Sequence, residues 1–122
     1  MLFSETDLEQ LLSTRQCQGC ELVTADLEAA DLVGANLQGA NLLAANLKGA
    51  RLQGANLKDA DLGGVNFKGA DLAGADLEEA YLEGAILKLA NLTNANLTAA
   101  DLDGVLFCHT IMPDGSTNDS GC

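Results

Sequence analysis

An apolar residue returns at every fifth position through most of this 122-residue chain. The recurring residue is Leu from Leu22 to Leu102, except at Phe67, and the last such position holds Phe107. A small residue, usually Ala, stands two positions before each of them, and Asp or Asn usually lies between the two. The chain therefore contains a five-residue repeat that runs from Cys20 to His109.

A period of five fits neither an α-helix nor a β-strand. Five residues advance about 140° around a helix, and an odd period places alternate Leu side chains on opposite faces of a strand. The backbone must therefore change direction once in each repeat. Gly stands two positions after the Leu in nine repeats, including Gly34 and Gly104, and supplies the positive φ of a type II turn. One turn per repeat predicts a coil.

The pattern Ala-(Asp/Asn)-Leu-x-x, present 18 times, resembles the pentapeptide repeat family. The Leu-Leu-x-Thr-x-x-Cys-x-x-Cys segment that ends at Cys20 and the Met-Pro-Asp-Gly-Ser segment that starts at Met112 resemble cyanobacterial members. The resemblance implies an all-β, right-handed quadrilateral parallel β-helix with four repeats per coil, or about 4.5 coils. The recurrence of Lys48, Lys68 and Lys88 at intervals of twenty favours the same coil length.

Three segments are expected. Residues 1–19 form an N-terminal capping helix and entry segment, residues 20–109 form the repeat coil, and residues 110–122 form a tail that folds back as a cap. The helix is predicted from about Glu5 to Thr14, with Ser4 as its N-cap. Its apolar stripe is predicted to consist of Leu8, Leu11 and Leu12.

The repeated apolar residues are expected to fill the coil and leave no interior cavity. Leu52 should lie at the centre of a face, between the Leu residues of the coils on either side. The core column is represented by Leu32, Leu52, Phe67, Leu72 and Phe107.

Four cysteines lie in two groups that cannot share one zinc ion. Cys20 and Cys108 are separated by about four coils, or ~20 Å, whereas zinc ligands lie within ~2.3 Å of the metal. Cys17 and Cys20 both fall on inward-facing positions, where buried thiols and a disulfide remain open alternatives. Cys108 falls on an outward-facing position, and a bond to Cys122 would close a loop of about 15 residues, stabilise the fold by ~3 kcal/mol and hold the tail as a lid. No metal ion or cofactor is expected.

Charge is unevenly distributed. With 18 acidic and 6 basic residues the net charge is -12, which disfavours direct binding to nucleic acid or to anionic lipid and favours basic partners. Wrapping the sequence at twenty residues places three Lys residues in one column and several carboxylates with Tyr81 on the preceding face. The candidate interaction residues are Lys48, Lys68, Lys88, Tyr81 and Glu83.

No catalytic arrangement is expected, because His109 is the only His and the repeat map places no nucleophile or carboxylate pair beside it. The sequence favours a non-enzymatic scaffold or protein–protein interaction module, as a monomer or weak dimer, with an unknown protein partner. The family resemblance implies an alternative, an acidic DNA mimic that binds DNA gyrase or another DNA-binding protein.

The compartment stays open at this stage. No signal peptide or membrane span is visible, which favours the cytoplasm, whereas disulfides would favour the thylakoid lumen or the periplasm.

Overall fold

The computed structural model describes residues 3–122, and its first element is helix α1, Glu5–Thr14, as predicted. Ser4 is the N-cap, and its hydroxyl accepts a hydrogen bond from the Asp7 amide at 3.2 Å. The helix ends at Arg15, whose left-handed backbone lets its amide donate to the Leu11 carbonyl at 2.8 Å. Each end of α1 therefore has a capping hydrogen bond within the chain.

Helix α1 covers the first coil with a narrower apolar face than the sequence predicted. Leu11 is fully buried and Leu8 packs against the core, but Leu12 is 57% exposed. Leu8 and Leu11 are three residues apart and share one face, whereas Leu12 is rotated about 100° from Leu11 toward solvent. The Ser4 amide donates to the Glu21 carbonyl at 3.0 Å and so anchors the helix to the first coil.

The coil itself consists of four ladders in which each residue pairs in parallel with the residue twenty positions later. They run from the pairing of Gln16 with Asn36 to the pairing of Asn91 with Ile111. This register shows the twenty-residue, four-sided coil that the lysine spacing favours. The ladders begin at Gln16, just after α1, in a five-residue unit that precedes the repeat starting at Cys20.

Each repeat turns through the same hydrogen-bonded corner. In a typical repeat the Ala35 amide donates to the Leu32 carbonyl at 3.0 Å, and Gly34 between them has φ +67°. In this four-residue turn only the third residue has a positive φ, and the amide of the fourth donates to the carbonyl of the first, as in a type II turn. Leu89 occupies the same position with φ 62°, so the coil imposes this backbone conformation even where no Gly is present.

The Asp or Asn that most repeats carry stabilises the same corner from outside. The Asn36 side chain accepts the Gln38 amide at 3.1 Å, and the Asp61 side chain accepts the Gly63 amide at 3.1 Å. This amide has no partner in the adjacent coil, so a short side-chain acceptor two residues earlier satisfies it. The side-chain oxygen explains the preference for Asp and Asn at this position.

The interior is a continuous stack of apolar side chains. Leu52 is fully buried between the coils of Leu32 and Leu72, and the ladder bond from the Leu52 amide to the Asp71 carbonyl is 2.7 Å long. Phe67 is also fully buried, whereas Phe107 is only half-buried because no complete coil follows it. The other half-buried apolar members of the last coil are Leu97, Ala100, Leu102 and Val105.

The tail folds back on the last coil as a small hairpin. Strand β1, Thr110–Ile111, pairs antiparallel with strand β2, Thr117–Asn118. The Gly121 amide donates to the Phe107 carbonyl at 2.7 Å, and Cys122 is bonded to Cys108. Cys108 continues the outer column of Lys68 and Lys88, since the Leu89 amide donates to its carbonyl at 2.8 Å, and it is only 6% exposed because the returning tail covers it.

The tail covers the apolar residues at this end only in part. Ile111 continues a ladder and is 38% exposed, while Leu89 remains 50% exposed. Gly121 packs on Leu106 instead, since a Cβ at Gly121 would lie 2.6 Å from its Cδ1 atom. Met112 packs against the core, as its partial burial shows.

The tip of the hairpin carries one ionisable group with a shifted pKa. The Ser116 hydroxyl and the Ser116 amide both donate to the Asp114 carboxylate, at 2.6 and 2.9 Å, and lower the pKa of Asp114. These bonds favour the ionised form. Their contribution is therefore present above the ordinary carboxyl pKa and is lost as the pH falls through the lowered value.

Replacing Leu52 by Asp should destabilise the whole coil. The carboxylate would be buried without a partner in a stack of Leu side chains, at a cost on the order of several kcal/mol in the free energy of unfolding. Thermal unfolding monitored by circular dichroism measures it. Leu43→Asp makes the same substitution at an exposed position of the coil and is the matched control. A melting temperature within a degree or two of the parent for Leu52→Asp would contradict the inward assignment.

Replacing Cys122 by Ser should loosen only the tail. Without the bond to Cys108 the hairpin keeps its backbone hydrogen bonds but loses its covalent closure. Hydrogen exchange should then accelerate after Phe107, while the central coils retain their protection. Equal exchange of the tail in the two proteins would show that packing alone holds it.

Candidate functional site

A surface groove opens where one repeat lacks a side chain. Gly63 is the only Gly at the position directly after the recurring apolar residue in repeats 20–109, in the outer column that also contains Leu43 and Glu83. The gap between those two side chains forms an open concavity of about 540 Å³. We call it the acidic groove, and the side chains that line it are Leu43, Asp61, Tyr81, Glu83 and Asp101, over a floor that includes Gly63.

The coil places an aromatic ring between two carboxylates in this groove. Asp61, Tyr81 and Asp101 are successive residues of one ladder, so they are spaced by about 4.8 Å per coil. Oδ1 of Asp61 accepts the Gly63 amide, and Oδ1 of Asp101 accepts an amide two residues later. Within residues 3–122 the second oxygen of each carboxylate has no hydrogen-bond donor. Two carboxylates and an exposed ring suit a cationic ligand.

Leu43 supplies an apolar wall. A Cβ at Gly63 would lie 2.9 Å from Cδ1 of Leu43, so this side chain leans over the glycine, and it is 44% exposed. Lys and Arg side chains carry an apolar stem and a charged end, and the groove offers an apolar wall beside carboxylates. The groove thus matches a basic side chain twice, with the apolar wall for the stem and the carboxylates for the charged end.

The lysines predicted as interaction residues lie on the next face of the coil. The Gly49 amide donates to the Lys68 carbonyl and the Gly69 amide to the Lys88 carbonyl, both at 2.9 Å, which stacks Lys48, Lys68 and Lys88 in one column. Across the described part of the chain none of their ammonium groups forms an ion pair. The structure brings Tyr81 and Glu83 together in the groove and places the Lys column on a separate face.

All four cysteines form disulfides. Cys17 pairs with Cys20, with Cα atoms 5.3 Å apart, and Cys108 pairs with Cys122, with Cα atoms 4.9 Å apart. Cys17 and Cys20 are buried, in agreement with their inward phase, and the bond decides between the two alternatives that the sequence left open. The Cys17–Cys20 bond lies at the N-terminal end of the coil and the Cys108–Cys122 bond at its C-terminal end.

His109 has a carboxylate neighbour that the sequence did not reveal. Its Nδ1 lies 2.9 Å from Oδ1 of Asp119, and its amide donates to the same oxygen at 2.7 Å. Asp119 belongs to the tail, outside the repeat map, so no periodicity could place it there. Gly63 could be found from the sequence, because it is the one residue without a side chain in its column when the sequence is written in rows of twenty.

No helix in residues 3–122 combines the length and the apolar character that crossing a bilayer requires.

Comparison with known proteins agrees with this coiled repeat architecture. The family model described as pentapeptide repeats, in eight copies, matches residues 20–59, 50–88 and 75–112. The chain therefore belongs to the pentapeptide repeat family. No curated protein sequence matches it significantly.

Two solved structures are informative. HetL, a pentapeptide repeat protein involved in heterocyst differentiation regulation in the cyanobacterium Nostoc, is 32% identical with a TM-score of 0.54. The alignment covers 84% of this chain but 64% of HetL, so this chain spans just under two thirds of that relative. A pentapeptide repeat protein from the Arabidopsis thaliana thylakoid lumen is 33% identical with a TM-score of 0.61, over 84% of this chain and 68% of that one.

The groove should attract cations to Tyr81, whose fluorescence can be followed selectively because it is the only Tyr and the chain has no Trp. Caesium ions should quench it more strongly than iodide ions, relative to free N-acetyltyrosinamide, because the neighbouring carboxylates concentrate cations and repel anions. Changing Asp61 and Asp101 to Asn should reduce the difference, and so should high salt. Equal relative quenching by both ions in the parent would contradict an acidic groove.

Proposed function

We propose that this pentapeptide repeat protein is a non-enzymatic interaction module whose acidic groove binds a basic segment of a partner protein. The observation that carries the proposal is the placement of Tyr81 between Asp61 and Asp101 beside the gap at Gly63. A Lys or Arg side chain in the gap would contact the ring and one of the carboxylates that flank it, in the field of both.

The coil suits such a function because the site needs little reorganisation to bind. Each carboxylate is held by an amide of its own repeat, and each repeat is held by ladder bonds to its neighbours. A ligand therefore loses less affinity to ordering of the site than it would on a mobile loop. The net charge of -12 adds long-range attraction for a basic partner.

The relatives support a binding role without naming a partner. HetL is involved in heterocyst differentiation regulation, and a regulatory role is consistent with protein binding. The Arabidopsis relative comes from the thylakoid lumen, and the two disulfides here are typical of oxidising compartments. These points favour a lumenal or similarly oxidising location over a reducing one.

The proposal can be tested with an arginine-rich peptide as probe and a glutamate-rich peptide as the charge control. Binding is measured by calorimetry and by Tyr81 fluorescence at two salt concentrations. Asp61→Asn combined with Asp101→Asn removes two charges but keeps the oxygen that accepts each turn amide. At roughly 0.5–1 kcal/mol per charge, the double variant should bind about five- to thirtyfold more weakly.

A variant that fills the gap gives an independent test. Gly63→Gln places a side chain in the groove. The φ of Gly63 is not in the positive region, so the backbone accepts the substitution, and the end of the Leu43 side chain, 2.9 Å from the new Cβ, must shift. Ala73→Gln introduces the same side chain at the equivalent position of a different face and should leave affinity unchanged. Equal affinity of the parent, Gly63→Gln and the double Asn variant would refute binding in the groove.

The DNA-mimic function implied by the family resemblance is favoured by one observation, the net charge of -12. The Lys column, which forms no ion pair within residues 3–122, interrupts the acidic surface and weighs against the mimic. A gyrase supercoiling assay discriminates between the two functions. Inhibition at low micromolar concentration that persists in Gly63→Gln would favour the mimic, whereas absence of inhibition would favour the interaction module.

A further inference from the structure

The C-terminal cap gathers four potential metal ligands. The ligand atoms of Cys108, His109, Asp119 and Cys122 all lie within 4.8 Å of one another. Cys108 precedes His109 at the end of the last repeat, and the returning tail delivers Asp119 and Cys122 to them. No other group of three or more such residues in the described chain meets this condition.

The set matches zinc once the sulfurs are reduced. Two thiolates, one imidazole and one carboxylate are all ordinary zinc ligands, and four of them complete a structural site. With Zn–S distances of ~2.3 Å and Zn–N or Zn–O distances of ~2.0–2.1 Å, ligand atoms around a tetrahedral zinc are separated by roughly 3.3–3.8 Å. His109 Nδ1 and Asp119 Oδ1, at 2.9 Å, are already close to that spacing.

The backbone would keep the ligands together when the disulfide opens. Thr110 and Ile111 pair with the strand Thr117–Asn118, and the Gly121 amide bonds to the Phe107 carbonyl at 2.7 Å. The His109 amide also bonds to Asp119. The main rearrangement needed is therefore separation of the two sulfur atoms within the cap.

We propose that reduction of the Cys108–Cys122 disulfide by a dithiol converts the C-terminal cap into a zinc site formed by Cys108, His109, Asp119 and Cys122. While the disulfide is intact, neither sulfur is a thiolate, and the site lacks two of its ligands. The redox state of the cap therefore determines whether it binds metal.

The exchange begins at the accessible sulfur. Cys122 is exposed and Cys108 is buried, so one thiolate of the dithiol attacks Sγ of Cys122 and releases Cys108 as a thiolate. The second thiol of the dithiol then attacks the mixed disulfide and releases Cys122. Two electrons pass to the protein and the dithiol becomes a disulfide. Any proton held by either thiol leaves when Zn²⁺ binds.

The other disulfide provides a contrast within the same molecule. Cys17 is fully buried under α1, and the nearby Asp7 carboxylate already accepts the Glu21 amide at 2.8 Å. No His lies near it, because His109 is the only one in the chain. The Cys17–Cys20 bond therefore closes the first turn, and its reduction creates no equivalent four-ligand site.

The full chain tests the proposal in its oxidised and its phosphine-reduced forms. Zinc is titrated against a chromogenic chelator, and cobalt(II) replaces it to report thiolate ligands through the S-to-Co charge-transfer band. The reduced protein should bind one equivalent, and the oxidised protein none at the same metal concentration. Asp119→Asn and His109→Ala should each weaken zinc binding by tenfold or more, with the cobalt spectrum changed.

A paired variant locates the metal. Cys108→Ser/Cys122→Ser leaves Cys17 and Cys20 in place and should abolish the charge-transfer band while circular dichroism shows an intact coil. Equal zinc binding by the oxidised and reduced parent would overturn the redox dependence. Absence of zinc binding by the reduced parent, retention of the band in the paired Ser variant, or unchanged affinity in His109→Ala would overturn the site.

Discussion

The hydrogen-bond register between successive coils is the constraint on which the rest of this protein depends. From Gln16 to Ile111 one residue of each repeat is paired with the residue twenty positions away, so each repeat is positioned by the neighbouring coils. The inward Leu residues stabilise the stack by burying apolar surface, and the type II turns return each face to that register. A shift of one residue in any coil would bring polar side chains into the core.

The surface follows from the same register. Residues that are distant in sequence become neighbours in outer columns, which is how Asp61 and Asp101 come to flank Tyr81. In such a column a single missing side chain makes a concavity, since the backbone cannot close the gap without leaving its ladder. Gly63 has this effect between Leu43 and Glu83. Binding specificity in such a protein can therefore arise from one residue in a column rather than from a loop.

The repeat coil and helix α1 were largely predictable from the sequence, because local chemistry determines them. The five-residue period places Leu52 inside, and Ser4 with Asp7 marks the start of α1. The tail was less predictable. Burial of Cys108 and the contact of Asp119 with His109 depend on how a non-periodic segment folds back, which no repeat can encode. The exposure of Leu12 likewise depends on how α1 is seated on the first coil.

The acidic groove was more predictable from the sequence than the tail and less predictable than the coil. Its carboxylates and Tyr81 could be assigned to one face from the twenty-residue wrapping, but its shape could not be assigned. The groove requires the Gly63 gap and the inclination of Leu43 over it, and both are properties of packing between adjacent columns. Sequence patterns report which residues share a column more readily than they report the space between their side chains.

The most direct test of this account is an NMR titration of the isotopically labelled protein with a short arginine-containing peptide. The account predicts amide shift changes at two sets of positions spaced by twenty residues, Asp61 with Tyr81 and Asp101, and Leu43 with Gly63 and Glu83. Amides on the other faces of the coil, including those of the Lys column, should not shift. Changes that follow consecutive sequence positions would contradict the register, and changes that centre on the Lys column would contradict the groove.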